Sequence, residues 1–233
     1  MPLDLSHLID PKLVVLTAPR SAAAEQYRAL RTNLEFLGVD GPLVKVMITS
    51  GTPGAGKSLT SCNLAIALAQ AGKNTILVDA DLRRPMVHHL FGTGNLSGLT
   101  TALTRPEEWH KYVTHGPIGG LSLLTSGPIP PNPSEMMSSP IMTELFSQLG
   151  QAYDMVIVDT PPVVSFTDAV ALSQSLDGVI LVVRAGHTSR KVDLKGKERL
   201  TQVNARILGI VLNDIEMNDE AYSYYYGYGD RKP

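Results

Sequence analysis

The sequence predicts an α/β fold with a mainly parallel central sheet and helices on both faces. Three observations predict it. Short, near-continuous apolar runs recur along the chain, as strands buried on both faces require. Polar or helix-patterned segments separate those runs, which is the alternation of a layered α/β domain. A glycine-rich stretch lies between the first core run and a helical segment, giving strand, loop and helix in succession.

The elements follow in order. Residues 21–37 (SAAAEQYRALRTNLEFL) carry a helical pattern, with Ser21 placed to cap it and Gly38 to stop it. This helix is expected to pack against the domain or a neighbour. Residues 43–50 (LVKVMITS) read as the first buried strand, and residues 59–71, with Leu64, Ala65, Leu68 and Ala69 at helical spacing, as the helix beyond the glycines. Further strands are expected at 75–80 (TILVDA), 121–125, 155–160 (MVIVDT), 179–183 (VILVV) and 207–213 (ILGIVLN). Residues 127–140 hold five prolines and read as a loop leading into a helix near 141–150. One domain is expected over 1–213, with 214–233 a polar, flexible tail that has few aliphatic anchors.

Composition bounds the function classes. A chain of 233 residues, 43% hydrophobic, can bury one substantial core. Its 20 Lys and Arg against 22 Asp and Glu leave a formal charge of −2, so no global basic surplus draws it to nucleic acid. No stretch reaches the roughly 20 apolar residues that cross a bilayer, and the N-terminus lacks the cationic start and apolar run of a signal peptide. The single cysteine, Cys62, excludes an internal disulfide and any cysteine-only metal site, and fits a reducing compartment such as the cytoplasm.

Gly51-Thr52-Pro53-Gly54-Ala55-Gly56-Lys57-Ser58 matches the Walker A pattern in full, and it sits between a strand and a helix as a P-loop must. Glycines let backbone N–H groups turn around phosphates, and the helix start adds partial positive charge. Lys57 is placed to reach the β and γ oxygens of ATP, and the Ser58 hydroxyl to ligate Mg²⁺. With Leu59, these residues form the expected nucleotide-binding stretch. Such a loop needs a carboxylate at the end of another core strand, and Asp159 in MVIVDTPP occupies that place, as a Walker B acid.

Asp79 and Asp81 close a second strand, ILVDADLRRP, and alternation along extended chain would point both carboxylates the same way. One could support Mg²⁺ while the other accepts a proton from an attacking hydroxyl; the alternative is an acidic turn paired with Arg83 and Arg84. His88 and His89 diverge by about 100° on a helix and have no partner at metal-ligand spacing, so they read as surface or packing residues. Cys62 reads as a small core residue.

Five of the eight tyrosines, Tyr222, Tyr224, Tyr225, Tyr226 and Tyr228, fall within seven residues of the tail. They read either as a sticky or stacking end, or as phosphoacceptors that reach a neighbour's γ-phosphate.

With the Walker A loop at 51–58, the second Walker-like strand at 76–85, Walker B at 155–160 and the terminal tyrosines in this order, the chain resembles the bacterial tyrosine kinases (BY-kinases) of capsular and exopolysaccharide synthesis, over nearly the whole of their cytoplasmic catalytic domain. A further likeness is Glu25-x-x-Arg28-x-x-Arg31, similar to the family's self-association motif; spacing of three sets these charges along one helix face, where Glu25 pairs with Arg28 or with another subunit. The resemblance implies that Lys57 and Ser58 bind phosphate and Mg²⁺, that Asp81 and Asp159 support the metal, that Asp79 is the base for the tyrosine hydroxyl, and that Asn213 meets the adenine. It implies a ring-like homo-oligomer in which each tail enters the next active site. It also implies an activating cytoplasmic tail of a membrane protein, a phosphotyrosine phosphatase, and polysaccharide-biosynthesis enzymes as substrates. On this reading the chain lies at the inner face of the membrane, either as a stand-alone kinase or as the catalytic domain of a longer protein.

Two other readings remain. A switch ATPase of the positioning, partitioning or cluster-carrier type usually has a lysine early in the P-loop, where this chain has Thr52, and cluster carriers need paired cysteines. A nucleotide-dependent scaffold would use the tyrosine tail for docking alone.

Overall fold

The structure, a computed structural model, describes residues 9–38 and 43–215, so the tyrosine cluster at 222–228 and the tail beyond Ile215 lie outside the described residues. The sheet among the described residues has seven strands in the order β3-β4-β2-β5-β1-β6-β7. They are β1 (Lys45–Ser50), β2 (Thr75–Asp79), β3 (Thr114–His115), β4 (Leu121–Leu124), β5 (Met155–Asp159), β6 (Gly178–Arg184) and β7 (Ile207–Asn213). All neighbours are parallel except β3, which runs antiparallel to β4 at the edge. The expected strands all form, within two residues of their expected ends; the two-residue β3 carries too little pattern to be read in advance.

The helices are α1 (Val14–Thr17), α2 (Ala22–Leu37), α3 (Lys57–Gln70), α4 (Val87–Leu90), α5 (Leu99–Thr104), α6 (Pro133–Met137), α7 (Pro140–Ala152), α8 (Asp168–Leu172) and α9 (Arg190–Gln202). Side-chain alternation along the strands sorts the core. Val46 and Ile48 of β1 face one side, with Leu64 and Leu68 of α3 and Leu34 of α2, whereas Met47 faces the other, with Val163, Ala169 and Leu200. On that second side Ile76, Val78, Val156 and Val158 pack under α5 and α7, including Leu145, Phe146 and Leu149.

α3 is buried at every residue from Thr60 to Ala69. Its outer face, which a surface helix would show to water, is covered by α2, whose Ala24, Tyr27, Leu30 and Leu34 join the same core. α2 begins where Ser21 Oγ accepts from the Ala24 N–H at 3.2 Å. The proline-rich stretch is not wholly a loop: Pro133 opens α6, and Ser139 caps α7 through the Met142 N–H.

Candidate active site

β1 ends in the middle of the sheet, and the chain must turn through the glycine-rich loop before α3 starts at Lys57. Gly56 takes φ 92°, a conformation a side chain resists. It has a second reason to be glycine: a Cβ there would stand 2.0 Å from Nδ2 of Asn213. That amide donates to the Ala55 carbonyl at 3.0 Å, so Asn213 at the end of β7 braces the phosphate loop directly.

Lys57 Nζ lies 2.7 Å from Asp81 Oδ2, 3.3 Å from Ser58 Oγ and 3.7 Å from Asp159 Oδ1. Burial alone would lower the proton affinity of this amine; Asp159 and Asp81 more than reverse that, so Lys57 is a buried ammonium. Asp159 Oδ1 also accepts from Ser61 Oγ at 3.3 Å, while its Oδ2 is sealed from solvent and takes no hydrogen bond among the described residues. Burial lifts the Asp159 carboxyl above its ordinary value, against the pull of Lys57.

Asp79 pairs in register with Asp159 across β2 and β5, which brings the two carboxylates to the same end of the sheet. Asp79 and Asp81 nevertheless divide their contacts. Asp79 Oδ2 accepts the N–H groups of Met86 and Val87, each at 3.0 Å, and so anchors the start of α4. Its Oδ1 holds one longer contact, 3.2 Å from the Asp81 N–H. Burial first, then the Asp159 carboxylate, push Asp79 up to about 8. Asp81 presents Oδ2 to Lys57 and Oδ1 to the N–H groups of Arg83 and Arg84, at 3.3 and 3.0 Å. The acidic turn therefore exists, but through backbone donors, and it leaves Asp81 facing the loop lysine.

Oxygen donors dominate this cluster. Ser58 Oγ, the Asp81 carboxylate and the unpartnered Asp159 Oδ2 are the hard-ligand set Mg²⁺ takes, and the loop N–H groups with Lys57 are the set a polyphosphate takes, so the residues present fit both.

The other expected residues separate from this centre. Glu25 pairs with Arg28 at 2.8 Å on its own helix, and Arg31 Nε is buried without a hydrogen-bond partner among the described residues. Cys62 is fully buried and burial pushes its thiol well up, which makes it inert. The rings of His88 and His89 lie 3.9 Å apart, and neither belongs to a group of three or more His, Cys, Asp or Glu side chains placed to hold a metal among the described residues.

Several contacts around the site carried no local signal. Arg83 sends its guanidinium to Asp168 and Ser134, from two distant segments. Arg199 of α9 donates to the carbonyls of Val163 and Val164, both at 2.8 Å, holding the chain that follows Asp159. Asp193 of α9 is buried against the first loop glycine, where a Cβ on Gly51 would stand 2.9 Å from its Oδ1, and that oxygen takes no hydrogen bond among the described residues. Only proximity in the folded chain reveals them.

Comparison with known proteins agrees with this geometry. Residues 43–223 match a family model described as ParA, NUBPL iron-transfer P-loop NTPase. The chain is 44% identical to tyrosine-protein kinase YwqD of Bacillus subtilis (strain 168), over 94% of this chain and 92% of that protein. Among solved structures it is similar to the chimerical protein CapA2B2, with a TM-score of 0.85 and 38% identity over 91% of this chain and 98% of that one. It is similar also to the kinase domain of Escherichia coli tyrosine kinase ETK, with a TM-score of 0.82 and 35% identity over 88% of this chain and 82% of that one.

Proposed function

The chain belongs to the bacterial tyrosine kinase (BY-kinase) family of P-loop NTPases, and from that premise we propose that it phosphorylates its own C-terminal tyrosines, Tyr222, Tyr224, Tyr225, Tyr226 and Tyr228, from ATP and Mg²⁺, between subunits. It is a protein-tyrosine kinase. The observation that carries the reading is the buried Lys57 ammonium at a P-loop, held between Asp81 and Asp159.

The loop N–H groups and the start of α3 bind the phosphates, Lys57 neutralises charge on the transferring group, and Ser58, Asp81 and Asp159 hold the metal. Bound Mg²⁺ supplies further neutralisation of the β and γ oxygens. Asn213 fixes the loop and lines the side of the adenine. The tyrosine oxygen attacks the γ-phosphorus, the bond to the β-bridging oxygen breaks, and ADP leaves. The phenol proton passes to Asp79 Oδ1, the less occupied of its oxygens. Phosphoryl transfer has a loose transition state, so positioning and charge neutralisation contribute more than the base.

Association runs through α2, with Glu25, Arg28 and Arg31, into a ring that hands each tail to the next subunit. An activating cytoplasmic segment of a membrane protein starts the reaction and a phosphotyrosine phosphatase reverses it; the output regulates capsule or exopolysaccharide synthesis, with polysaccharide-biosynthesis enzymes as further substrates. This places the chain at the inner face of the cell membrane. No described helix is long and apolar enough to cross one.

The family model's iron-transfer description favours one other reading, a switch or cluster-carrying ATPase. Thr52 in the loop and a single buried cysteine speak against it. Incubation of the protein with Mg·ATP and a binding activator segment, followed by phosphopeptide mapping against Lys57→Met, decides between them. Phosphate on the terminal tyrosines that vanishes in the variant supports the kinase reading; steady ATP hydrolysis without phosphotyrosine overturns it.

A further inference from the structure

Four residues tie three separate stretches of chain together beside the P-loop. The Arg83 guanidinium donates through Nε to Asp168 Oδ2 at 2.7 Å and through Nη2 to Asp168 Oδ1 at 3.2 Å, a two-pronged pair. The same Nη2 donates to Ser134 Oγ at 2.9 Å, and Ser134 in turn donates to Asp168 Oδ1 at 2.6 Å. The guanidinium carbon lies 4.2 Å from the centre of the Phe166 ring, which covers one face of the fork. Asp168 opens α8, Ser134 lies in α6, and Arg83 belongs to the irregular segment between β2 and α4. The Asp168 side chain is fully buried and that of Arg83 is 30% exposed, so the pair is largely shielded from water.

The other end of Arg83 faces the site. Its backbone N–H, with that of Arg84, points at Asp81 Oδ1, and this is what turns Asp81 Oδ2 toward Lys57. Residues 80–86 have no helix or strand of their own to hold that turn. At one end of the segment the Met86 N–H is held by Asp79; at the other the Ala80 N–H is held by the Asp159 carbonyl. Between those points Asp81 meets Lys57 and Leu82 is buried in the core, and the Arg83 guanidinium ties the turn to α6 and α8.

We propose that Arg83 is a positioning residue for phosphoryl transfer: clamped by Asp168 and Ser134, it fixes through its own main chain the orientation in which Asp81 meets the metal and Lys57. The inference rests on the assignment of Asp81 to the Mg²⁺ site. The Arg83 guanidinium is turned to Asp168 and Ser134 rather than to Lys57 or Asp159. A lysine in its place would keep the charge but lose the fork, the Ser134 contact and the stacking on Phe166. An asparagine at 168 would keep the shape but remove the counter-ion, so either change should loosen the same turn.

The test measures tyrosine phosphorylation, Mg²⁺ half-saturation, ADP affinity with and without Mg²⁺, and the thermal midpoint, for Arg83→Lys, Asp168→Asn, their double variant and Asp81→Asn. Each single clamp variant is expected to lower kcat about tenfold and to reduce the tightening of ADP by Mg²⁺ several-fold, with metal-free ADP affinity unchanged within about twofold. The double variant is expected to be no worse than the poorer single one, because both break one clamp. Wild-type Mg²⁺ dependence in both single variants overturns the proposal, as does a loss that follows the thermal midpoint alone or multiplies in the double variant. Asp81→Asn separates the premise: if it keeps wild-type Mg²⁺ dependence, the metal assignment fails and the clamp proposal with it. If it loses that dependence while the clamp variants do not, only the clamp proposal fails.

Discussion

Lys57 Nζ and Asp81 Oδ2 stand 2.7 Å apart with both side chains almost sealed from water, at 10% and 4% exposure. A lysine so placed neutralises a cluster of acids, besides the phosphate contact proposed for it. Lys57→Met therefore leaves Asp81, Asp159 and Asp79 in a buried group without their cation. Phosphotyrosine formation is expected to fall at least about 100-fold, from loss of a preorganised charge at the transferring group. Nucleotide-free stability is expected to fall by about 3 kcal/mol, from breaking a buried pair. Quench-flow autophosphorylation and urea unfolding check the two separately; unchanged stability would mean that the acids shed their charge at little cost.

Gly56 meets two conditions that alanine fails together, a φ of 92° and a Cβ site 2.0 Å from Asn213 Nδ2. Gly56→Ala is expected to cost about 2 kcal/mol or more and to abolish measurable ADP binding. Calorimetry on Gly56→Ala and on Gly56→Ala with Asn213→Ala distinguishes the two conditions. The second variant removes the collision but keeps the strain, so only partial recovery is expected.

Burial would raise the Asp168 carboxyl, yet hydrogen bonds from Arg83 and Ser134 hold it below the ordinary aspartate value. A carboxyl lowered in the folded state adds stability that is complete above its unfolded value, near 3.9, and is lost as pH falls through its folded value below that. The Arg83–Asp168 pair is thus expected to stabilise the protein throughout the neutral range and to fail only in acid. Asp168→Asn should lower stability at pH 7 by about 2 kcal/mol and flatten the curve below pH ~4. Denaturant midpoints across pH 3 to 7 measure it, and an unchanged acid limb would count against the pairing.

Glu25 spends its charge on Arg28 within the same helix, whereas Arg31 keeps a buried Nε without a hydrogen-bond acceptor among the described residues. Of the three motif residues, Arg31 is the one whose removal should weaken self-association most, by about 30-fold in Kd if it meets a desolvated acid on the neighbour. Sedimentation velocity on Arg31→Ala and Glu25→Ala reads the difference. Equal effects would place the interface elsewhere on α2.

The strands were legible because a strand buried on both faces writes itself as a β-branched apolar run, and the loop at 51–58 because phosphate binding constrains consecutive residues. Asp79 and Asp159 were legible for a related reason: they end β2 and β5, and strand ends converge on one edge of a parallel sheet, with Asp81 two residues beyond the end of β2. The division of labour between Asp79 and Asp81 was not legible, since it depends on where the start of α4 turns back. α9 gave a weak signal because two of its three buried positions are Asp193 and Gly196, which lie close to the loop glycine Gly51, and only Leu200 adds apolar area. Arg83, Ser134 and Asp168 come together only through the fold, and no spacing in the chain foretells a contact among them.

β1 lies between β5 and β6, and both are made long after it. During synthesis, then, the strand bearing the phosphate loop leaves the ribosome with neither flanking strand yet in existence, and Asn213, which braces that loop, emerges later still. A nascent chain cannot trap nucleotide on a half-built cradle. Messages cut short before β7 should yield chains that a nucleotide cannot rescue, and the cell's quality control would meet them as unfolded polypeptides rather than as impaired kinases.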